Sequence, residues 1–123
     1  MKEPVRVDAS DVAAIHEQLL LRYGGASGLR PGMPEVTHAG GDIVEMAAAY
    51  TAGIVQNHPF VDGNKRTGFV VGVLFLEMNG MKFTATEAEA TLAVLELAAG
   101  SIDESGFVLF LRDHSKRIRK RAK

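Results

Sequence analysis

The chain has 123 residues and a mass of 13.2 kDa, with 46% hydrophobic and 24% charged residues and a formal net charge of −1. That length and balance describe one globular domain able to bury its own core, and they exclude a disordered chain. The absence of cysteine removes disulfides, thiolate nucleophiles and thiolate metal sites together. The longest apolar run, nine residues at 68–76, falls well short of the roughly 20 needed for a membrane span. No apolar run follows Met1, so no signal peptide is expected, and a reducing cytoplasm is the expected location.

Charge is unevenly spread. Residues 112–123 carry seven basic side chains and one acid, while the other 111 residues hold 7 basic and 14 acidic ones. The simplest reading of this basic tail is a solvated helix end, where cations suit the helix dipole. The other reading is a contact with nucleic acid or an acidic partner.

In chain order the pattern predicts four or five helices and an all-α bundle over residues 1–123. The first covers residues 11–22, capped by Ser10, with Val12, Ile15, Leu19 and Leu20 on one face and Gly24-Gly25 as the stop. Residues 24–41, with six glycines and two prolines, read as a loop. The second helix spans residues 43–56, capped by Asp42, with Ile43, Met46, Ala47, Tyr50 and Ile54 on one side and alanines for close packing. It breaks at Asn57-His58-Pro59, since proline disfavours the helical conformation at the residue before it.

The third helix starts near Asn64 and ends at Asn79-Gly80. Being the most apolar, it is expected to be the central one, and Gly68 and Gly72 let a neighbour approach closely. Lys82-Phe83-Thr84 reads as a short strand or extended chain. Two capping boxes follow: Thr86 with Glu89 opens a helix that stops at Gly100, and Ser101 with Glu104 opens the last, which turns Phe107, Phe110 and Leu111 inward and continues toward the basic tail.

One segment does not read as packing: His58-Pro59-Phe60-Val61-Asp62-Gly63-Asn64-Lys65-Arg66-Thr67-Gly68. It gathers a base, an acid, an amide and two cations at the mouth of a buried helix. The first amides of that helix lack intrahelical acceptors, and the dipole there favours anions. Gly63 permits a positive φ, so neighbouring N–H groups can converge on one anion. Lys65 and Arg66 oppose the dipole unless an anion occupies the site, and they offer a point charge and a planar fork for phosphate oxygens. Asp62 is a hard oxygen ligand suited to Mg²⁺. His58 is the one group there able to accept a proton near neutral pH. Together these are the parts for attack of a hydroxyl on a nucleotide phosphate. Plainer readings stand beside these: His58 as a cap of the preceding helix, Asp62 as a helix-start carboxylate and Asn64 as an N-cap. Phe60 reads as core, and His16, His38 and His114 as surface or packing residues.

The run His58-Pro59-Phe60-x-Asp62-Gly63-Asn64-Lys65-Arg66-Thr67 resembles the motif of the Fic/Doc family, in particular its Doc branch, the toxins of Phd–Doc modules. The resemblance extends to Arg22-Tyr23-Gly24-Gly25, to Ala48-Ala49-Tyr50 and to Phe75-Leu76-Glu77-Met78-Asn79-Gly80. It implies a compact Fic-like helical bundle and a nucleotide-dependent modification of a protein hydroxyl. By that resemblance His58 is the general base, Asp62 holds Mg²⁺, and Gly63, Asn64, Lys65, Arg66 and Thr67 hold the phosphates of ATP. The Doc branch implies phosphorylation of a translation protein such as EF-Tu, and growth arrest. Fic relatives transfer AMP instead.

Lys65 stands where Fic enzymes have glycine, and Phe69 where they have a second arginine; both favour phosphoryl transfer. No Ser or Thr here has Glu four residues on, so the internal inhibitory helix of some Fic enzymes has no counterpart. The partner implied is a Phd-like antitoxin folding as a helix in a groove, with nucleic acid met only through the antitoxin and no membrane. Residues 26–41 depart from the family, being short and Gly/Pro-rich where relatives carry an extra helical segment. The alternatives to a kinase toxin are AMP transfer and a silent antitoxin-binding module.

Overall fold

The structure, a computed structural model, describes residues 4–28 and 41–118. His38 and the last five residues of the basic tail lie outside them. Five helices, α1 (Ala9–Tyr23), α2 (Ile43–Asn57), α3 (Asn64–Met78), α4 (Glu87–Ala99) and α5 (Glu104–Asp113), are joined by a small antiparallel ribbon of β1 (Met81–Phe83) and β2 (Ser115–Arg117). The all-α expectation holds, with one core cluster that the helices share. Among the described residues no helix is long and apolar enough to cross a membrane.

The innermost helix is α2, not α3. Ten of the fifteen residues of α2 are buried against seven of the fifteen in α3. The alanines of α2 let other helices close around it, whereas Phe69, Val70, Val73 and Leu74 of α3 remain half-buried. The two helices touch through glycine, as expected. A Cβ at Gly68 would lie 2.9 Å from Val55 Cγ2, and one at Gly72 would overlap Thr51 Oγ1. Thr51 uses the space to donate its hydroxyl hydrogen to the Gly68 carbonyl at 2.7 Å.

Two caps differ from expectation. Asp8, not Ser10, caps α1: its Oδ1 accepts from the Asp11 amide at 2.9 Å, and Ser10 donates to that same oxygen at 2.7 Å. Asp103, not Ser101, caps α5, accepting from the Gly106 amide at 2.9 Å. Ser101 is already committed to closing α4, its amide bonded to the Glu96 carbonyl at 2.9 Å behind left-handed Gly100. The caps of α2 by Asp42 and of α4 by Thr86 with Glu89 stand as read.

The basic tail does not prolong α5. The helix stops at Asp113, and Ser115–Arg117 pairs with Met81–Phe83, placing Lys116 opposite Lys82. The extended reading of Lys82-Phe83 therefore holds, with a partner strand that lies far away in sequence.

Asp42 also receives Arg112 Nη1 at 3.0 Å. Partial burial disfavours its charge, but the Glu45 amide and the Arg112 guanidinium outweigh this and hold its pKa below the ordinary carboxylate value. Because the folded pKa is the lower one, its contribution is complete above the unfolded value near 4 and is lost as pH falls through the folded value. Asp42→Asn keeps a capping oxygen but not the charge. We expect it to cost at most about 1 kcal/mol at neutral pH, given how exposed the pair is. The deficit should shrink below about pH 4. Urea melts at the two pH values check this, and a deficit that persists in acid would contradict it.

Candidate active site

The motif loop leaves α2 at His58. This residue adopts φ 52 and ψ 58 and closes α2 by donating its amide to the Ile54 carbonyl at 3.1 Å. It is the one non-glycine residue of positive φ among those described. Pro59 disfavours a right-handed helical conformation at His58, and the left-handed one lets the chain swing away from the helix axis. Such strain persists where the surroundings over-determine it. The capping reading of His58 thus describes its backbone, while its imidazole is exposed.

The loop is then clipped to the helix that follows. Asn64 accepts from the Phe60 amide at 3.0 Å and donates to the Phe60 carbonyl at 2.9 Å. The residue is 8% exposed, and its carboxamide oxygen and one carboxamide N–H are engaged in this clip, while its backbone amide lies at the free end of the helix. The N-cap position belongs to Gly63, at φ 80. Phe60 is 3% exposed, as expected of a core anchor. The Asp62 carboxylate is exposed; Oδ1 accepts from the Gly63 amide at 2.9 Å and Oδ2 from the Ala26 amide at 3.3 Å. Gly25, at φ 127, packs so tightly here that a Cβ would lie 2.9 Å from Asp62 Oδ2. The Gly24-Gly25 turn after α1 is therefore part of the site's foundation.

No side chain caps α3 and no acid stands in its first turn. The Thr67 amide is bonded to the Gly63 carbonyl at 3.0 Å, which leaves the amides of Asn64, Lys65 and Arg66 as the helix's unsatisfied donors. Lys65 and Arg66 are exposed beside them. The Arg66 guanidinium lies 4.4 Å above the centre of the Tyr23 ring, a cation–π contact that restrains it without using its N–H fork. Thr67 is 0% exposed, its amide is used, and its hydroxyl is buried without a hydrogen-bond partner among the described residues.

Three contributors escape the sequence reading: His16, Tyr23 and Ala26. His16 shares the helical face of Val12, Leu19 and Leu20, so periodicity marks it as internal. Its contact with the motif loop is set by tertiary packing.

The Fic/DOC family model matches residues 29–76, a span that runs through α2 and the motif loop into α3. The protein kinase doc of Escherichia phage P1 is 30% identical over an alignment of 121 positions that covers 86% of this chain and 92% of that protein. The chain belongs to the Fic/Doc family.

Beside the cations of this Fic/Doc protein lies a groove of about 420 Å³ between α1, α3 and α4. Leu19, Tyr23, Phe69, Val94 and Leu95 form its apolar walls, and Lys65 and Arg66 line it as well; His58 and Asp62 do not. Phe69 packs edge-on against Phe83, with ring centroids 5.6 Å apart, and so belongs to an aromatic cluster.

Among the described residues no three His, Cys, Asp or Glu side chains converge on a metal position. The donor set nevertheless fits Mg²⁺ delivered with a nucleotide. Mg²⁺ needs one or two carboxylates and takes its other ligands from phosphate and water. The exposed Asp62 carboxylate is already oriented by two amides and retains further lone pairs.

Proposed function

We propose that this chain is a Doc-type toxin of a toxin–antitoxin module, one working domain that transfers the terminal phosphate of ATP to a hydroxyl of a translation protein, with EF-Tu as the model target. The observation that carries this reading is the amino end of α3: an uncapped helix, free of acids in its first turn, with two exposed cations added where the dipole already attracts anions. The phage P1 relative is named as a protein kinase, which supports the same class of reaction.

In this mechanism the amides of Asn64, Lys65 and Arg66 and the two cationic side chains hold the phosphate chain and offset the charge that builds during transfer. Asp62 would hold Mg²⁺, which would supply positive charge to offset that of the phosphate chain. His58 takes the proton of the target hydroxyl as the hydroxyl oxygen bonds to the terminal phosphorus. The bond from that phosphorus to the bridging oxygen breaks, and ADP leaves with the electron pair. Lys65 and the aromatic placement of Phe69 favour a nucleotide that presents its terminal phosphate over one that donates AMP.

The groove beside Tyr23 and Arg66 suits an antitoxin segment that folds as a helix. Tyr23 and Leu95, 59% and 48% exposed, would be covered by such a partner.

Intact-mass measurement of a purified target after incubation with the chain, ATP and Mg²⁺ tests the activity. A gain of one phosphoryl group is expected. A gain of AMP would reassign the chain to nucleotidyl transfer, and no gain with wild-type protein able to arrest growth would leave a binding module.

A further inference from the structure

We propose that His16 is a positioning residue: it fixes the plane of the Asp62–Gly63 peptide and thereby holds the Asp62 carboxylate and the Gly63 amide in their places at the phosphate site. The inference rests on the phosphate-binding reading above. His16 lies on α1, is 2% exposed, and reaches the motif loop across 46 residues of sequence. Its Nε2 is 2.7 Å from the Asp62 carbonyl oxygen. A carbonyl only accepts, so Nε2 carries the hydrogen and donates it. The ring also lies flat on Phe60, with centroids 3.8 Å apart and planes 6° from parallel. Covering Phe60 requires only an apolar or aromatic side chain; histidine adds one donor aimed at one carbonyl.

That carbonyl is a consequential one. In a trans peptide the C=O and the N–H point in opposite directions, and the described residues contain no cis bond. With the carbonyl drawn to His16, the Gly63 N–H faces the other way, where it donates to Asp62 Oδ1 at 2.9 Å. Gly63, at φ 80 and ψ 18, has no side chain to resist rotation of this plane. If the plane turned over, the Asp62 carboxylate would lose its amide and face a carbonyl dipole instead. It would have to leave the position from which it can hold Mg²⁺, beside the free amides of α3. The fit at this point is close: a Cβ on Gly63 would lie 3.5 Å from His16 Nε2 and 3.8 Å from Leu20 Cδ2. His16 is thus seated against the peptide it holds.

The test compares the full chain with His16→Phe, which keeps the stacked ring without the donor, and His16→Gln, whose carboxamide keeps a donor. Calorimetric titration with ATP and Mg²⁺, ATP-dependent kinetics and a melting curve are recorded for each. We expect His16→Phe to melt near the wild type yet bind ATP roughly tenfold more weakly, about the value of one well-placed hydrogen bond. Its KM for ATP should rise by a similar factor while kcat changes less, and His16→Gln should recover most of the affinity.

Should His16→Phe fail to fold, His16→Met carries the same comparison without a donor. Donorless variants that bind ATP as the wild type does would overturn the proposal. So would folded Phe and Gln variants equally weakened, or a chain that folds only when the donor is present, because each outcome makes His16 a packing residue. Wild-type protein that takes up no ATP would overturn the phosphate reading itself. That result is distinguishable, since in the other cases the wild type binds.

Discussion

Replacing His58 by asparagine is expected to lower the phosphoryl-transfer rate by roughly 10²–10⁴ while ATP affinity stays near the wild-type value. The separation follows from where His58 sits. It precedes the clip that Asn64 places on Phe60, and its imidazole is exposed, so the phosphate-holding turn is built without it. Asparagine is preferred to alanine because position 58 has φ 52, where an asparagine is tolerated and an alanine is strained. The asparagine cannot take up a proton near neutral pH, so the loss reports the base alone. Single-turnover rates together with calorimetry make the measurement. A variant that retained full turnover would remove His58 from the chemistry, and one that lost ATP binding would make it a binding residue.

Arg66→Ala should reduce turnover by about 10²–10³, the usual effect of deleting one donor aimed at developing charge. Its side chain is exposed and its one described contact is the Tyr23 ring, so stability should fall by only about 0.5–1 kcal/mol. The large kinetic loss and small stability loss together would mark a functional cation. Arg66→Lys should recover the charge but only part of the rate, because an ammonium lacks the planar fork. Tyr23→Leu should weaken ATP binding a few-fold by releasing the guanidinium from its ring, an effect of about 0.5–1 kcal/mol. Equal activity in Arg66→Ala and the wild type would exclude Arg66 from the phosphate site.

Much of the molecule was legible because the interactions concerned are local. Asp42 and Thr86 cap helices through amides three residues on, the break at His58-Pro59 follows from proline sterics, and Gly68 and Gly72 announce a close approach four residues apart. The two caps that differ are also local matters, and they arise where two signals compete. Ser10 has the right chemistry for a cap, but Asp8 and Asp11 form a reciprocal box. Ser101 has it too, but left-handed Gly100 draws it into the end of α4 and leaves Asp103 to open α5.

In the site, His58, Asp62, Lys65 and Arg66 are exposed and stand at the turn between α2 and α3. Asn64 and Thr67 belong to the same motif but are buried. Burial separates them, turning the Asn64 carboxamide onto Phe60 and enclosing the Thr67 hydroxyl.

The sequence by itself determined the helical class, the end of α2, the start of α3 and the residue types that make the turn between them attractive to an anion. These depend on dihedral limits and hydrogen bonds spanning a few residues, which any fold of the chain must obey. Tertiary structure decided the innermost helix, the strand partner of Met81–Phe83, the Arg112 link to Asp42, and the placement of His16, Tyr23 and Ala26 around the motif loop. Those depend on which helix faces meet across dozens of residues, and many packings share one periodic pattern. Only the packed core selects the one in which a donor from α1 reaches the carbonyl of Asp62.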